Sequence, residues 1–159
     1  CHFAIHYFFG NYDNLNGFLN NVYQSLKTNG FFIGTCLDGK SIYNKFKTTK
    51  KNVLEEYQPE TKDMPEKSRL IWRIKKDYED THDDKGEMPD DETSLGMKIS
   101  VDVESINKTS NEFLVNFDYL VKLMSEYGFD LVDSKLFHEV PSSMLEEFYV
   151  ENKIFGPKL

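Results

Sequence analysis

The chain has 159 residues, enough for one domain with a real core, and its net charge is −8, with nine acidic residues against Lys85 alone between Asp77 and Glu92. That acid excess excludes a protein that wraps duplex nucleic acid on a basic face, though not one that reads a single nucleotide. No apolar run approaches the ~20 residues of a membrane span, no signal peptide is visible, and Cys1 and Cys36 make no cysteine framework, so a soluble intracellular chain is expected.

The chain opens on Phe3-Ala4-Ile5-His6-Tyr7-Phe8-Phe9, an aromatic and β-branched run that predicts a strand. Asn11 and Asp13 are candidate N-caps for the helix that follows. Leu15, Phe18, Leu19, Val22 and Leu26 fall on one helical face, and Asn29-Gly30 offers a left-handed stop. Gly30-Phe31-Phe32-Ile33-Gly34-Thr35 predicts a second strand. Strand, helix, strand is a parallel crossover, the unit of an open α/β sheet, whose ligands sit beyond the carboxyl ends of the strands. A buried parallel strand needs neighbours on both edges, so the chain is expected to be part of a larger protein whose upstream segment supplies neighbouring strands.

Cys36 to Lys40 is a turn opening a short helix over Ser41–Phe46, and Asp38-Gly39 there is either a plain turn or a phosphate cradle. Residues 47–67 are polar and broken by Pro59 and Pro65, which predicts a surface loop or a lid. Leu70–Lys75 predicts a strand, and Asp77–Glu92 a solvated acidic loop in which His82-Asp83-Asp84 has metal-ligand residue types without further support. Gly96–Val103 alternates with period two and returns, after a turn at Asn107–Ser110, as a strand over Asn111–Val115. A helix from Asp118 ends at Tyr127-Gly128, a strand is expected over Phe129–Phe137, and a last helix over Ser142–Lys153. Residues 47–116 thus form an insertion with its own antiparallel unit.

Three of these stretches, Phe3–Phe9, Gly30–Thr35 and Asn111-Glu112-Phe113-Leu114-Val115-Asn116-Phe117, resemble in order and spacing the motifs of the mRNA cap guanine-N7 methyltransferases. In that family they read FxxHYxF, GGxFIGT and E-Y/F-L-V. The likeness runs from about Phe3 to Phe137, lies in the carboxyl-terminal half of the catalytic domain, and is nearest to the enzymes of large DNA viruses. Asp130-Leu131-Val132 after the third helix resembles the family's last strand.

The resemblance implies an α/β fold of the class I S-adenosylmethionine-dependent, Rossmann-like type, with the methyl donor and the cap guanosine in adjoining pockets and no metal. It implies that Phe3, His6 and Tyr7 line the guanosine pocket, that Glu112 reads the guanine edge, and that His2 and Tyr7 lie near the donor. The implied partners are the capped mRNA 5′ end, the rest of the methyltransferase or capping-enzyme polypeptide and an activating subunit, in virion or host cytoplasm for a viral enzyme and in the nucleus for a cellular one. Leu37 stands where the family has proline and His2 where it often has glutamine, and no tyrosine matches the one that closes over the cap. No GxGxxG-like turn occurs, so the donor-binding half is expected to lie outside this chain, which alone would be inactive. Two other readings stay open: a class I methyltransferase with another acceptor, and a non-catalytic cap-binding or structural partner. Without the motifs, Phe3 and Tyr7 would be core residues and His6 a satisfied core histidine.

Overall fold

A computed structural model describes residues 1–58, 69–79, 86–104 and 108–136. The chain divides into Cys1–Phe129 and Asp130–Leu159. In the first unit three helices, α1 (Tyr12–Ser25), α2 (Gly39–Thr49) and α3 (Phe117–Glu126), accompany four strands, β1 (Val53–Tyr57), β2 (Leu70–Lys76), β3 (Lys98–Val103) and β4 (Ser110–Phe113). The strands form one antiparallel sheet in the order β1-β2-β3-β4.

The Phe3–Phe9 run is not a strand. Ile5–Phe8 is a 3₁₀ turn, closed by Tyr7 N–H donating to Ala4 O at 3.2 Å and Phe9 N–H to His6 O at 3.3 Å. Burial explains the difference. Ile5, His6 and Phe9 are inside at 4%, 5% and 0% exposure, while Phe3 and Tyr7 are 51% and 54% exposed. That spacing is helical, so packing overrides the strand preference of aromatic residues. Ile5 and Phe9 join Leu15 and Leu19 of α1 and Tyr119, Leu120 and Leu123 of α3 in one core cluster.

Gly30–Thr35 is not a strand either, so of the expected crossover only an isolated parallel bridge is present. Cys1–Phe3 runs parallel to Ile33–Thr35 through one bridge, His2 to Thr35, with Phe3 N–H donating to Thr35 O at 2.8 Å and Thr35 N–H to Cys1 O at 2.9 Å. Phe31 and Ile33 remain 70% and 68% exposed. Asn11 caps α1 by accepting from Asn14 N–H at 2.9 Å, but the helix stops at Ser25, and Asn29 turns left-handed (φ 63°) only afterwards.

The polar stretch expected as a loop or lid over 47–67 contains β1, held to β2 from Val53↔Lys75 to Tyr57↔Leu70. A second core cluster lies between α2 and the sheet and includes Tyr43, Phe46, Ile74, Ile99 and Val101. Gly39 lets α2 sit there: a Cβ on it would lie 2.3 Å from Val115 O. Asn116, fully buried, accepts from Tyr119 N–H as the α3 cap and donates to Pro89 O and Asp90 Oδ1. Lys40 bonds both Asp90 and Asp118, tying α2 to the acidic segment and to α3.

The helix ending at Tyr127-Gly128 is present, with Gly128 at φ 81°. The strand expected over Phe129–Phe137 is not, since residues 129–136 have no strand partner among the described residues. In the second unit Lys135 pairs with Asp133 at 3.0 Å. The Ser142–Lys153 helix, His82-Asp83-Asp84 and most of the Asn107–Ser110 turn's approach lie outside the described residues.

Candidate nucleotide site

A cavity of about 1090 Å³ opens between the sheet, α2 and the 3₁₀ turn. Its floor is one sheet face. Residues directly opposite one another across strands share a face, and Leu54, Ile74, Val101 and Ser110 form such a row, as do Trp72 and Val103. One wall is the start of α2, with Asp38, Ser41, Ile42 and Lys45. The other is the 3₁₀ segment, which contributes Phe3, His6 and Tyr7, and Glu112 closes the β4 end.

Phe3, His6, Tyr7 and Glu112 therefore meet in one cavity. The 3₁₀ turn buries the His6 ring and leaves the Tyr7 ring beside it, with centroids 4.2 Å apart and planes at 60°. Tyr7 and Phe3 are large apolar faces left open to solvent at a cavity wall, where a planar ligand could cover them. Phe3 adopts φ 46°, a left-handed conformation that L side chains rarely take.

Glu112 is largely sequestered, with 12% of its side chain exposed. Ser110, two residues earlier on the same strand face, donates its hydroxyl to Oε1, and His6 Nδ1 stands 3.7 Å from Oε2. A nearly buried carboxylate needs such partners, since an unpaired charge there would be costly. Burial pulls the His6 pKa down, and the Glu112 charge opposes that only in part. The imidazole is then neutral at pH 7, and its Nε2 is buried with no hydrogen-bond partner among the described residues.

His2 lies apart from this cavity's lining, exposed, with Nδ1 3.3 Å from Thr35 Oγ1. The phosphate-cradle reading of Asp38-Gly39 fails on electrostatics. Asp38 accepts from Ser41 N–H at 3.1 Å and from Ser41 Oγ at 2.6 Å, so a carboxylate already fills the α2 N-terminus and would repel phosphate. No group of three metal-ligating side chains occurs among the described residues, and no helix among them is long and apolar enough to cross a membrane.

Sequence reasoning missed Trp72, Lys45, Lys108 and Ser110 as lining residues. Only Ser110 carried a readable signal, its two-residue spacing from Glu112 on a strand. The others reach the cavity through strand register and the seating of α2.

Comparison with known proteins agrees with the motifs. The model of the family described as mRNA (guanine-N(7))-methyltransferase domain matches residues 1–153. The chain is 31% identical over 144 residues to a probable mRNA-capping enzyme of Acanthamoeba polyphaga mimivirus, a match spanning 88% of this chain and 11% of that protein. It is 29% identical over 130 residues to the mRNA cap guanine-N(7) methyltransferase of Candida glabrata, spanning 82% of this chain and 28% of that one. The chain thus spans less than a third of the length of either relative.

Proposed function

This chain belongs to the mRNA (guanine-N(7))-methyltransferase domain family, and from that premise we propose that it forms the cap-reading part of an enzyme that methylates the cap guanosine of RNA at nitrogen seven. The observation that carries the reading is the convergence of Phe3, His6, Tyr7 and Glu112, from the two ends of the described first unit, on one cavity. The proposed frame is the carboxyl-terminal half of a class I, Rossmann-like sheet, into which residues 47–116, with all four described strands, are inserted. The parallel bridge between Cys1–Phe3 and Ile33–Thr35 across α1 supports it.

S-adenosylmethionine, when bound, supplies an electrophilic methyl group. Guanine nitrogen seven is already a nucleophile, so the chain's residues need only hold the base in line and match the charge that develops. Glu112 accepts from the guanine N1–H and exocyclic amine, a pair of donors that adenine does not present. Each carboxylate oxygen has two lone pairs, so the bond from Ser110 and the neighbouring His6 orient Glu112 without exhausting it. Tyr7 and Phe3 stack on the base. His2 and Tyr7 face the donor side, His2 from the exposed segment beside Thr35.

The partners are the capped 5′ end of mRNA, the remainder of the polypeptide, which holds the donor-binding half, and an activating subunit. The low share of the viral relative that this chain spans supports a module within a multifunctional intracellular capping enzyme. The test is labelled methyl transfer to unmethylated capped RNA by the full natural polypeptide, with Glu112→Gln alongside. Transfer that depends on the cap, and a mutant that no longer prefers guanine over adenine caps, is the expected result. Unchanged preference in the mutant refutes the assignment.

A further inference from the structure

We propose that the cavity also takes the first transcribed nucleotide of the RNA, with Trp72 as its stacking platform and Lys45, Lys108 and Lys51 as contacts along the phosphate path. The proposal rests on the reading of Tyr7 and Glu112 as the guanine end, and concerns what lies beyond it.

The sheet register fixes the geometry. Glu112 is opposite Ile99 on β3, and Trp72 is opposite Val103. Two strand spacings and four residues of rise separate Glu112 from Trp72, roughly 16 Å on the same face. A single base occupies only one end of that span. The cavity volume of about 1090 Å³ is likewise at the upper limit for a site that buries one drug-sized ligand. The dinucleotide that begins a capped RNA, two nucleosides joined through a triphosphate, has the length and the two flat ends that the cavity offers.

Trp72 is prepared for stacking. Its indole N–H donates to Glu56 Oε2 at 2.6 Å across the β1–β2 pair, which fixes the ring plane before any ligand arrives. Stacking on an aromatic face tolerates any base, as a first transcribed nucleotide of variable identity requires. Trp72, Leu54 and Lys45 also line a second cavity of about 500 Å³ that adds Lys51. The two cavities are therefore adjoining lengths of one trench, with the guanine end at Glu112 and an exit at Lys51.

Three lysines line the trench against three carboxylates, a local balance well above the net charge of −8 of the whole chain. Lys45 and Lys108 line the larger cavity, and Lys45 and Lys51 the smaller. Of the carboxylates along the trench, Glu55 pairs with Arg73 at 3.0 Å and Glu112 holds Ser110, while Asp38 stands at the α2 N-terminus and keeps phosphate off that end.

The experiment compares methyl transfer by the full natural polypeptide to GTP, to GpppA and to a capped pentanucleotide, so that only this site reports. Wild type should show a kcat/KM for GpppA above that for GTP by roughly fivefold to a hundredfold, the scale of one stacked base. Trp72→Leu should erase that ratio by lowering transfer to GpppA far more than transfer to GTP, and Trp72→Tyr should restore it. Lys51→Ala should lower transfer to the pentanucleotide several-fold and spare GpppA. A wild-type ratio of one, or a Trp72→Leu variant that loses GTP and GpppA equally, overturns the subsite, and an unaffected pentanucleotide with Lys51→Ala overturns the exit. A readout independent of turnover is photocrosslinking: a photoreactive base at the first transcribed position should label the peptide 70–76, and labelling confined to other peptides overturns the path. Equal use of GpppA and ApppA sinks the guanine reading instead, and the Trp72 ratio is then read on ApppA against ATP.

Discussion

Tyr7 lies in the 3₁₀ turn and Phe9 caps it two residues later, and replacing each by alanine should have opposite consequences. Tyr7 is 54% exposed and Phe9 fully buried. Burying a large apolar side chain contributes about 1.5–3 kcal/mol, so the half-covered Tyr7 ring contributes about 1 kcal/mol. Its edge contact with His6 adds up to about 1 kcal/mol. Tyr7→Ala should then cost roughly 1–2 kcal/mol of stability, a Tm fall of about 3–8 °C for a domain of this size. Removing the stacking face should weaken cap binding by about 1–3 kcal/mol, or some five- to 150-fold in Kd. Phe9→Ala empties a core position and should cost about 3–5 kcal/mol of stability, leaving cap affinity unchanged below its unfolding transition. Calorimetry paired with fluorescence titration of a capped dinucleotide reads both quantities. A Tyr7→Ala variant that follows Phe9→Ala in Tm while holding cap affinity would show that Tyr7 is a core residue and that the open aromatic wall has no ligand.

Gly39→Ala should destabilise by about 3 kcal/mol, because its Cβ would lie 2.3 Å from Val115 O and α2 would have to lift from the β4–α3 junction. Urea unfolding measures this, and a variant within 0.5 kcal/mol of wild type, the scatter of ordinary surface changes, contradicts the close approach. His6 gives the fold a pH dependence. Its folded pKa lies below the ordinary 6.5, chiefly through burial, so the unfolded chain takes the proton more readily. Its contribution is full above pH 6.5 and is lost as the pH falls below that value. His6→Asn should flatten the stability profile between pH 7.5 and 5.5, and an unchanged slope would assign the dependence to other groups.

The three helices of the described residues were legible because their signals are local. Asn11 caps α1 and Gly128 follows α3 where the sequence puts them. The strand assigned to Phe3–Phe9 was not, because aromatic composition speaks for a strand while the burial of Ile5, His6 and Phe9 requires a turn. β1 was hidden in a polar stretch: its burial depends on pairing with β2, which local composition does not encode. At the site, motif likeness singled out Phe3, His6, Tyr7 and Glu112, and they do share a cavity. Trp72 and Lys45 stayed invisible because what brings them there is register and the contact of Gly39 with Val115, both long-range. Gly39 itself read as a turn residue, whereas it is a point of close approach.

Phe3 holds a left-handed backbone at φ 46° while presenting a half-exposed ring. For a residue with a side chain that conformation costs about 1–2 kcal/mol, and glycine would avoid it. Evolution at this position is therefore pulled two ways. A population selected for heat resistance alone would drift toward glycine or asparagine at position 3 and shed the aromatic face on the way, whereas one selected for turnover would keep the strain. On the proposed stacking role, Phe3→Gly should raise stability and weaken cap binding together.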